Sequence, residues 1–317
     1  MIVGPTAVGK TAVALALAEY WPLEIVSADS RQIYRKLDIG TAKPSRKERA
    51  RVPHHGIDVV APGERYSAGH FARDASRWVE DIQVRGKLPV VVGGTGLYIR
   101  ALAEGLFHEP PLEAVRRAAV GEWLGDLAAS ELTRWALRLD PRYRGGGRQR
   151  AMRAVEVALL TGRPLSHWQE AARAKGTVDP WYIVLNAPRP VLHQRILRRA
   201  EEMVRRGLIE EVASVLADGT AIGAPGIDAI GTREAVDYLQ GRIAREAVAS
   251  AIALNTRQYA KRQQTWFRHQ LRDPVLALDA TRPPEALAAE IAEAWSRRLS
   301  PVPRHSTPDA RLSTFDS

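Results

Sequence analysis

The feature that most constrains this chain is a glycine-rich stretch near its start with the pattern G-x-x-x-x-G-K-T. A short apolar segment precedes it and an amphipathic run, residues 12–19, follows it, which predicts a strand, a loop and a helix in succession. In that arrangement the backbone N–H groups of the loop and the helix N-terminus face an anion. The predicted phosphate-binding loop consists of Gly4, Pro5, Thr6, Ala7, Val8, Gly9, Lys10 and Thr11.

Two side chains of this loop predict how phosphate groups are held. Lys10 supplies a positive charge to the outer phosphates, and Thr11 supplies a hydroxyl ligand for Mg²⁺. We therefore expect Mg²⁺ as the cofactor, with Thr11 as its protein ligand. The loop alone does not show which phosphate compound binds or which reaction follows.

Further apolar runs predict that the loop belongs to an α/β protein. Residues 23–27, 88–92 and 181–185 are mostly apolar and of strand length, as expected for parallel strands that are covered on both faces. Helical patterns lie between them, and Ser67 is predicted to cap a helix that ends at Gly86. The predicted fold class is α/β, with a P-loop NTPase-like parallel sheet core and an inserted all-helical domain.

The strand pattern is interrupted between residues 110 and 176, where the sequence is helical and rich in arginine. We predict a discontinuous core of residues 1–109 and 177–299, with residues 110–176 as the inserted helical domain. Residues 300–317 contain proline and serine without hydrophobic periodicity, which predicts a disordered tail. Near the end of the core, residues 243–271 predict a long helix and residues 275–279 an edge strand.

The charge of the chain favours a polyanionic partner. The formal net charge is +10 and the pI is about 10.1. Five arginines lie within residues 142–153 and five basic residues within 257–272, and neither stretch contains a carboxylate. The absence of cysteine excludes disulfides and a cysteine nucleophile. No apolar run reaches the ~18 residues of a membrane span and no signal peptide is found, so a cytoplasmic protein is expected.

Two strand ends predict what surrounds the phosphate loop. Asp29 follows the strand predicted at residues 23–27, and ligands of open α/β sheets bind at this carboxyl edge. The strand predicted at 88–92 is followed by G-G-T-G, where a P-loop ATPase or GTPase has an aspartate for Mg²⁺. The two glycines favour close approach of the backbone to a ligand.

Nine stretches in this order resemble the tRNA dimethylallyltransferases, the tRNA isopentenyltransferase family, in their bacterial form. They are residues 4–11, 29–34, 38–44, 92–98, 153–157, 161–166, 207–212, 229–233 and 256–263. The resemblance implies transfer of a dimethylallyl group from its diphosphate to the exocyclic amine of the adenosine 3′-adjacent to the tRNA anticodon. It also implies that the inserted helical domain clasps the anticodon stem-loop.

The resemblance implies three catalytic side chains. Asp29 is the general base that takes a proton from the adenine amine, and Thr95 hydrogen-bonds the leaving oxygen and lines the channel between the substrates. Arg233 reaches the diphosphate. The residues themselves leave alternatives open: Asp29 could position Mg²⁺ or cap a helix, Thr95 could cap the helix that follows it, and Arg233 could be a solvated arginine.

The resemblance and the basic clusters together predict the tRNA-binding residues. These are Asp29, Ser30, Arg31, Gln32, Arg116, Gln149, Arg150, Ala151, Met152, Arg153, Arg257, Lys261 and Arg262. Two departures from the family pattern are the turn at residues 145–147, where a His-Pro-Asn-Asp-like turn is usual, and Thr232, where tyrosine is common. His54 and His55 are interpreted as loop residues, and Trp78, Trp168 and Trp266 as core.

Three other functions compete with this one. An adenylate isopentenyltransferase would act on free AMP or ADP and has no need of an arginine-rich insert. A small-molecule kinase would use the loop on ATP, but the missing aspartate after residue 92 disfavours it. A non-catalytic RNA-binding protein has no need of Lys10, Thr11 and Asp29 together. The expected partners are therefore tRNA and dimethylallyl diphosphate, and a monomer is the simplest assembly.

Overall fold

The computed structural model describes residues 1–106, 112–171, 176–271 and 275–299. Within them, six parallel strands form one sheet with the order β3-β2-β4-β1-β5-β6. The strand that leads into the phosphate loop therefore lies in the middle of the sheet. The strands are β1 (Ile2–Val3), β2 (Leu23–Ala28), β3 (His54–His55), β4 (Leu88–Gly93), β5 (Tyr182–Asn186) and β6 (Val275–Asp279).

Helices cover the sheet and fill the interval between β4 and β5. They are α1 (Lys10–Leu17), α2 (Arg46–Arg51), α3 (Ala68–Val84), α4 (Gly96–Glu104), α5 (Ala114–Asp126), α6 (Ala129–Leu139), α7 (Arg148–Thr161), α8 (Leu165–Ala171), α9 (Arg189–Arg205), α10 (Leu208–Ala217), α11 (Thr232–Leu239), α12 (Arg245–Gln270) and α13 (Pro284–Leu299). The predicted α/β fold with a parallel sheet is confirmed. Among the described residues, we find no helix with the length and apolar character that a membrane span requires.

The sheet is buried on both faces, as its apolar runs predict. Successive residues of one strand point to opposite faces, so Ile25 belongs to one hydrophobic cluster and Val26 to the other. Helices α1, α9, α10 and α13 contribute to the first cluster, and α3 and α4 to the second. The strands predicted at residues 23–27, 88–92 and 181–185 are present within one residue at each end.

Local capping explains where α3 begins. The hydroxyl of Ser67 accepts a hydrogen bond from the His70 N–H, as the predicted N-cap requires. Phe71, Ala75 and Ile82 are buried on the face that packs against the sheet. The opposite face of α3 is left to solvent.

The segment between α4 and β5 has a hydrophobic cluster of its own. Helices α5, α6 and α7 pack Leu124, Leu132 and Val155 against one another, separately from the two clusters of the sheet. This arrangement fits an inserted helical unit, although its limits at residues 110 and 176 stay a prediction. The predicted disordered tail at residues 300–317 lies outside the described residues.

The interpretation of His54 and His55 as loop residues was wrong. They form the edge strand β3, which pairs in parallel with Ile25 and Val26 of β2. A strand of two residues is too short to show a periodicity in the sequence, because its pairing is set by the neighbouring strand.

Candidate active site and nucleic-acid interface

The phosphate loop connects β1 to α1 at the carboxyl edge of the sheet. Gly4 and Gly9 have φ angles of 149° and 107°, a region that disfavours side chains. A Cβ atom on Gly4 would also lie 2.5 Å from the Leu185 carbonyl oxygen of β5. The loop conformation therefore favours glycine at both positions, and packing against β5 additionally requires it at Gly4.

Lys10 lies inside this loop and is partly withdrawn from water. Its ammonium donates hydrogen bonds to the carbonyl oxygens of Gly4 at 2.9 Å and Pro5 at 2.8 Å. Burial lowers the pKa of Lys10 to about 8, the Asp29 carboxylate opposes this shift, and the Arg199 guanidinium adds to it. The charges of Lys10, Asp29 and Arg199 therefore act on one another at one point of the structure.

Asp29 lies just beyond the end of β2. Its carboxylate accepts a hydrogen bond from the Arg31 N–H at 2.8 Å, in a turn and not at a helix N-terminus. This excludes the helix-capping alternative for Asp29. The residue also lines a small cavity together with Lys10 and Thr11, so the structure brings the predicted base and the phosphate loop together.

Thr95 occupies the N-cap position of the helix that follows it, but its side chain is used elsewhere. Its hydroxyl makes no capping hydrogen bond to α4. Instead, Thr95 Oγ1 accepts a hydrogen bond from the Ser30 N–H at 3.0 Å and donates to Ser30 Oγ at 3.3 Å. Next to it, a Cβ on Gly93 would overlap the Ala28 carbonyl, so glycine is needed where β4 and β2 end side by side.

The arginine beside Asp29 is Arg199 of α9, which we did not predict. Arg199 is half-buried, and burial lowers its pKa while the Asp29 carboxylate raises it. No hydrogen bond or ion pair ties its side chain to another described residue. A signal was available in the sequence, because Arg199 follows Leu192 by seven and Ile196 by three residues and so interrupts an apolar helix stripe.

Arg233, in contrast, is not brought to the phosphate loop. Its side chain is 57% exposed and lies 3.5 Å from the Asp228 carboxylate. It makes no contact with the loop within the part of the chain that the structure describes. The implied contact between Arg233 and the diphosphate therefore stays a prediction that the geometry does not support.

Gln263 of α12 is a second residue that the sequence did not reveal. Its amide oxygen accepts a hydrogen bond from the Thr6 N–H at 2.8 Å, and its amide nitrogen donates to the Gly94 carbonyl at 2.9 Å. One buried side chain thus joins the phosphate loop to the turn after β4. These partners are far apart in sequence, so no local pattern indicates the contact.

The residues after Asp29 are held from several sides. The Arg31 guanidinium donates to the Pro225 carbonyl at 2.9 Å. The Gln32 amide oxygen accepts from Ser27 Oγ at 2.9 Å, and its nitrogen donates to the Ala42 carbonyl at 3.3 Å. Ser30 bonds to Thr95, so Ser30, Arg31 and Gln32 are fixed before any ligand binds.

The loop at residues 38–44 supports Gln32 from behind. The Glu211 carboxylate of α10 accepts three backbone N–H groups, from Asp38, Ile39 and Gly40, at 2.7 to 2.8 Å. Lys43, whose side chain is 1% exposed, forms ion pairs with Asp38 at 2.7 Å and with Asp58. These charged contacts hold the loop in one conformation, so its position depends on them.

A wide cleft opens beside the site, between the sheet domain and the inserted helices. Its volume is 2410 Å³, and it extends to Leu97 and Trp266, next to Thr95. Gly96 approaches the Trp266 ring so closely that a Cβ atom would overlap it. Four of the predicted tRNA contacts line this cleft, namely Arg150, Arg153, Lys261 and Arg262.

The other predicted tRNA contacts lie elsewhere. Ala151 is fully buried and Met152 packs against the cluster of the inserted helices, which excludes the Ala151 side chain from contact with RNA. Arg116 is exposed and paired with Glu113 at 3.0 Å. Gln149 is exposed outside the cleft lining. Arg257 does not line the cleft and lies near His193 of α9, whose pKa is lowered by burial and, to a smaller extent, by the positive charge of Arg257.

The residues around Thr11 fit a bound Mg²⁺ ion through their oxygen atoms. The Thr11 hydroxyl and the Asp29 carboxylate line the same small cavity, and oxygen is the ligand that Mg²⁺ prefers. His54 also lines it, and its Nε2 is buried without a hydrogen-bond partner among the described residues. Those residues contain no group of three or more His, Asp or Glu side chains placed to hold a metal. A metal here would therefore need ligand atoms from a substrate.

Comparison with known proteins gives consistent matches over the whole site. The IPP transferase family model matches residues 32–270, and an isopentenyl transferase model matches residues 1–53. A tRNA dimethylallyltransferase of Halorhodospira halophila is 46% identical over 85% of this chain and 89% of that protein. One of Aromatoleum aromaticum is 40% identical over 96% of this chain and 98% of that protein. The crystal structure of a tRNA isopentenylpyrophosphate transferase from Bacillus halodurans matches 94% of this chain and 95% of its own with a TM-score of 0.67 and 34% identity.

Proposed function

The chain belongs to the IPP transferase family, as its sequence motifs predict, and on that basis we propose that it is a tRNA dimethylallyltransferase. It transfers a dimethylallyl group from dimethylallyl diphosphate to the N6 amine of the adenosine 3′-adjacent to the anticodon, position 37, and releases diphosphate. One juxtaposition supports this most. Asp29 lies with Lys10 and Arg199 at the sheet edge, beside a cleft lined by basic side chains.

Asp29 is the general base of the proposed reaction. The adenine amine is a weak nucleophile because its lone pair is delocalised into the ring, so removal of a proton must accompany formation of the C–N bond. The Asp29 carboxylate has one backbone hydrogen bond, from Arg31, and retains acceptor capacity for the amine. The fixed turn at Ser30 and Arg31 keeps the carboxylate in place.

The departing diphosphate gains negative charge as its bond to carbon breaks. Preorganised donors at that position stabilise the transition state more than the ground state. Lys10, the N–H groups of the phosphate loop and the N-terminus of α1 supply such donors. Arg199 adds a half-buried guanidinium on the same side as Lys10.

Mg²⁺ completes this proposal as the cofactor. Thr11 would hold it together with oxygen atoms of the diphosphate, because its hydroxyl lines the cavity beside Asp29. When bound there, the ion supplies additional positive charge to the leaving group. Thr95 joins the ends of β2 and β4 through Ser30, and in this proposal it lines the channel between the two substrates.

The cleft favours tRNA over a free nucleotide as the acceptor. A mononucleotide occupies a few hundred cubic ångströms, whereas the cleft measures 2410 Å³ and is lined by basic residues on both sides. A base within the anticodon loop must be unstacked before it is alkylated, and proteins that modify bases pay a few kcal/mol for this step. Contacts with the RNA backbone in the cleft offset that cost.

A labelling experiment tests the reaction and the acceptor together. Purified protein is mixed with unmodified tRNA, Mg²⁺ and either labelled dimethylallyl diphosphate or labelled ATP, with AMP as a competing acceptor. We expect label from the prenyl donor on tRNA and none on AMP. Label on AMP alone would contradict the tRNA acceptor and favour an adenylate isopentenyltransferase. Phosphate transfer from ATP would favour a kinase.

A further inference from the structure

The cleft has a wall that none of the sequence motifs indicates. The inserted helices form one side, and α12 closes part of the cleft next to the active site. The opposite side is formed by the loop before α3, by α3 and by α4, and we call it the α3–α4 wall. It includes Arg65, Gly69, Ala72, Arg73, Ser76 and Arg100, and His70 and Glu104 of the same two helices also line the cleft.

The three arginines of the α3–α4 wall lack protein partners. Arg65, Arg73 and Arg100 form no ion pair and no side-chain hydrogen bond with any residue in the described ranges. Arg65 and Arg73 are exposed, and Arg100 is half-buried in the floor of the cleft. Their charges are therefore available to a ligand.

Three arginines of the opposite wall differ in this respect. Arg117 and Arg153 both pair with Glu156 of α7, and Arg142 pairs with Glu170 of α8. Their positive charges are partly neutralised within the inserted segment. Arg144 and Arg150 of the inserted segment also line the cleft without an ion pair to a described residue, so unpaired positive charge lies on both sides, with three such arginines on the α3–α4 wall.

The face of α3 that borders the cleft is also shaped for close approach. Gly69, Ala72 and Ser76 recur at helical spacing on this face, while Phe71 and Ala75 point into the core. A chain that runs along the helix can therefore lie close to its backbone. Arg73 stands at the margin of this smooth strip and Arg65 at its N-terminal end.

We infer that the α3–α4 wall binds the phosphodiester backbone of tRNA and holds it against the inserted helices. This inference rests on the proposed function and adds a contact surface to it. An RNA backbone carries a regular series of negative charges, and arginine forks match phosphate oxygens well. Contacts between arginine and phosphate oxygens are independent of the base sequence.

The concave position of the wall favours RNA over other anionic partners. A membrane surface cannot enter a cleft between the sheet domain and the inserted helices. The wall is also continuous with Lys261 and Arg262 of α12, which line the same cleft near Thr95. A single RNA segment that reaches the active site can therefore contact both surfaces.

Salt dependence of tRNA binding tests this inference. We compare the full-length wild type with the triple variant Arg65→Ala/Arg73→Ala/Arg100→Ala by filter binding over a range of KCl concentrations. A matched control, Arg77→Ala/Arg205→Ala/Arg297→Ala, removes the same charge from arginines that pair with Asp74, Glu202 and Glu293 outside the cleft. Circular dichroism melting establishes that each variant is folded.

We expect the wall variant to bind tRNA about 10- to 100-fold more weakly, with the slope of log K against log salt reduced by about two. The control should stay within about twofold with an unchanged slope. The separate variant Arg73→Lys/Arg100→Lys should keep most of the wild-type slope of log K against log salt, because the positive charges remain. An unchanged slope in the wall variant, or an equal loss in the control, would overturn the inference.

Transfer activity separates this inference from the proposed function. The wall variant should keep its KM for dimethylallyl diphosphate and its kcat at saturating tRNA within about twofold, because the wall does not touch the phosphate loop. A wild type that binds tRNA with a steep salt slope and transfers nothing would contradict the proposed function alone. If the triple variant transfers the dimethylallyl group and binds tRNA as the wild type does, the role of the α3–α4 wall alone would be contradicted.

Discussion

The two ends of strand β2 each carry a carboxylate, and their surroundings differ. Glu24, near the start of the strand, is buried and accepts from His55 Nε2 at 2.7 Å, Arg85 Nη2 at 2.8 Å and Lys87 Nζ at 2.9 Å. Asp29, just beyond the other end, accepts from one backbone N–H. Its carboxylate is close enough to Lys10 and Arg199 to raise the pKa of each, but neither side chain pairs with it.

This difference separates charge that stabilises the fold from charge that is left for a ligand. Around Glu24 the cationic and hydrogen-bond partners together lower the pKa of the carboxyl to about 2, although burial acts in the opposite direction. At the other end, two cations face one carboxylate and share no ion pair with it. A diphosphate would supply the missing negative charge, so the site is incomplete without its substrate.

The largest expected effect comes from Asp29→Asn. Asparagine preserves the shape and can still accept from the Arg31 N–H, but it cannot take a proton from the amine. We expect the rate of transfer at saturating substrates to fall by roughly 10⁴, the upper range for loss of a general base. Binding of tRNA should change less than about threefold in filter binding. Loss of tRNA binding together with activity would instead make Asp29 a structural residue.

Arg199→Ala and Arg233→Ala distinguish the arginine found in the structure from the one implied by the sequence. Removal of a preorganised donor to a leaving group costs on the order of 10² to 10³ in rate. We expect kcat/KM for dimethylallyl diphosphate to fall by that amount in Arg199→Ala and by less than about threefold in Arg233→Ala. Calorimetric titration of each variant with inorganic diphosphate gives an independent readout. The reverse order would restore Arg233 as the diphosphate ligand.

The same contrast shows what the sequence could and could not predict. The strands β2, β4 and β5 were predictable because their apolar runs are continuous, and the phosphate loop because its spacing is specific. Arg233 was predicted from a motif, and a motif identifies a residue without showing where its side chain points. Arg199 could have been found from the apolar stripe that it interrupts.

Contacts between distant segments were beyond the sequence. Gln263 joins two loops that precede it by more than 160 residues, and β3 exists only because β2 offers it a partner. The fold was thus accessible from local patterns, whereas the site also depends on where α9 and α12 pack. Packing of whole helices is decided by many side chains at once, and no single pattern records it.

Glu24→Gln tests the end of β2 at which the carboxylate is paired with cationic side chains. We expect the free energy of unfolding at neutral pH to fall by about 3 kcal/mol, because a buried charged network loses its only carboxylate. The rate of transfer by the folded variant should stay within about twofold. Glu19→Gln is the control, since Glu19 is an exposed partner of Arg51 and should change stability by less than about 0.5 kcal/mol. Urea unfolding measures both variants.

The pH dependence of the wild type gives the sign of the Glu24 contribution. Its folded pKa of about 2 lies below the ordinary value of 4.5, so the stabilisation is complete above pH 4.5 and is lost as the pH falls towards 2. Glu24→Gln should therefore converge with the wild type in acid. A constant difference between the two proteins across this range would contradict the ionised network.

The smallest effect is expected at Glu211, which lies at the catalytic end of the molecule but resembles Glu24 in being fully engaged. Its carboxylate accepts three backbone N–H groups of the loop that holds Gln32 through Ala42. In Glu211→Ala those N–H groups turn to water and the loop loses its fixed position, which costs about 1 to 2 kcal/mol of stability. Because Gln32 belongs to the predicted tRNA contacts, we expect the KM for tRNA to rise about 3- to 10-fold while the KM for dimethylallyl diphosphate is unchanged. Glu210→Ala is the matched control, since Glu210 is the exposed neighbour of Glu211 and pairs with Arg245. An equal rise in both KM values would show that Glu211 supports the whole site. Paired charge at the Asp29 end of β2 would then also serve the substrate site, and the contrast between the two ends of the strand would not hold.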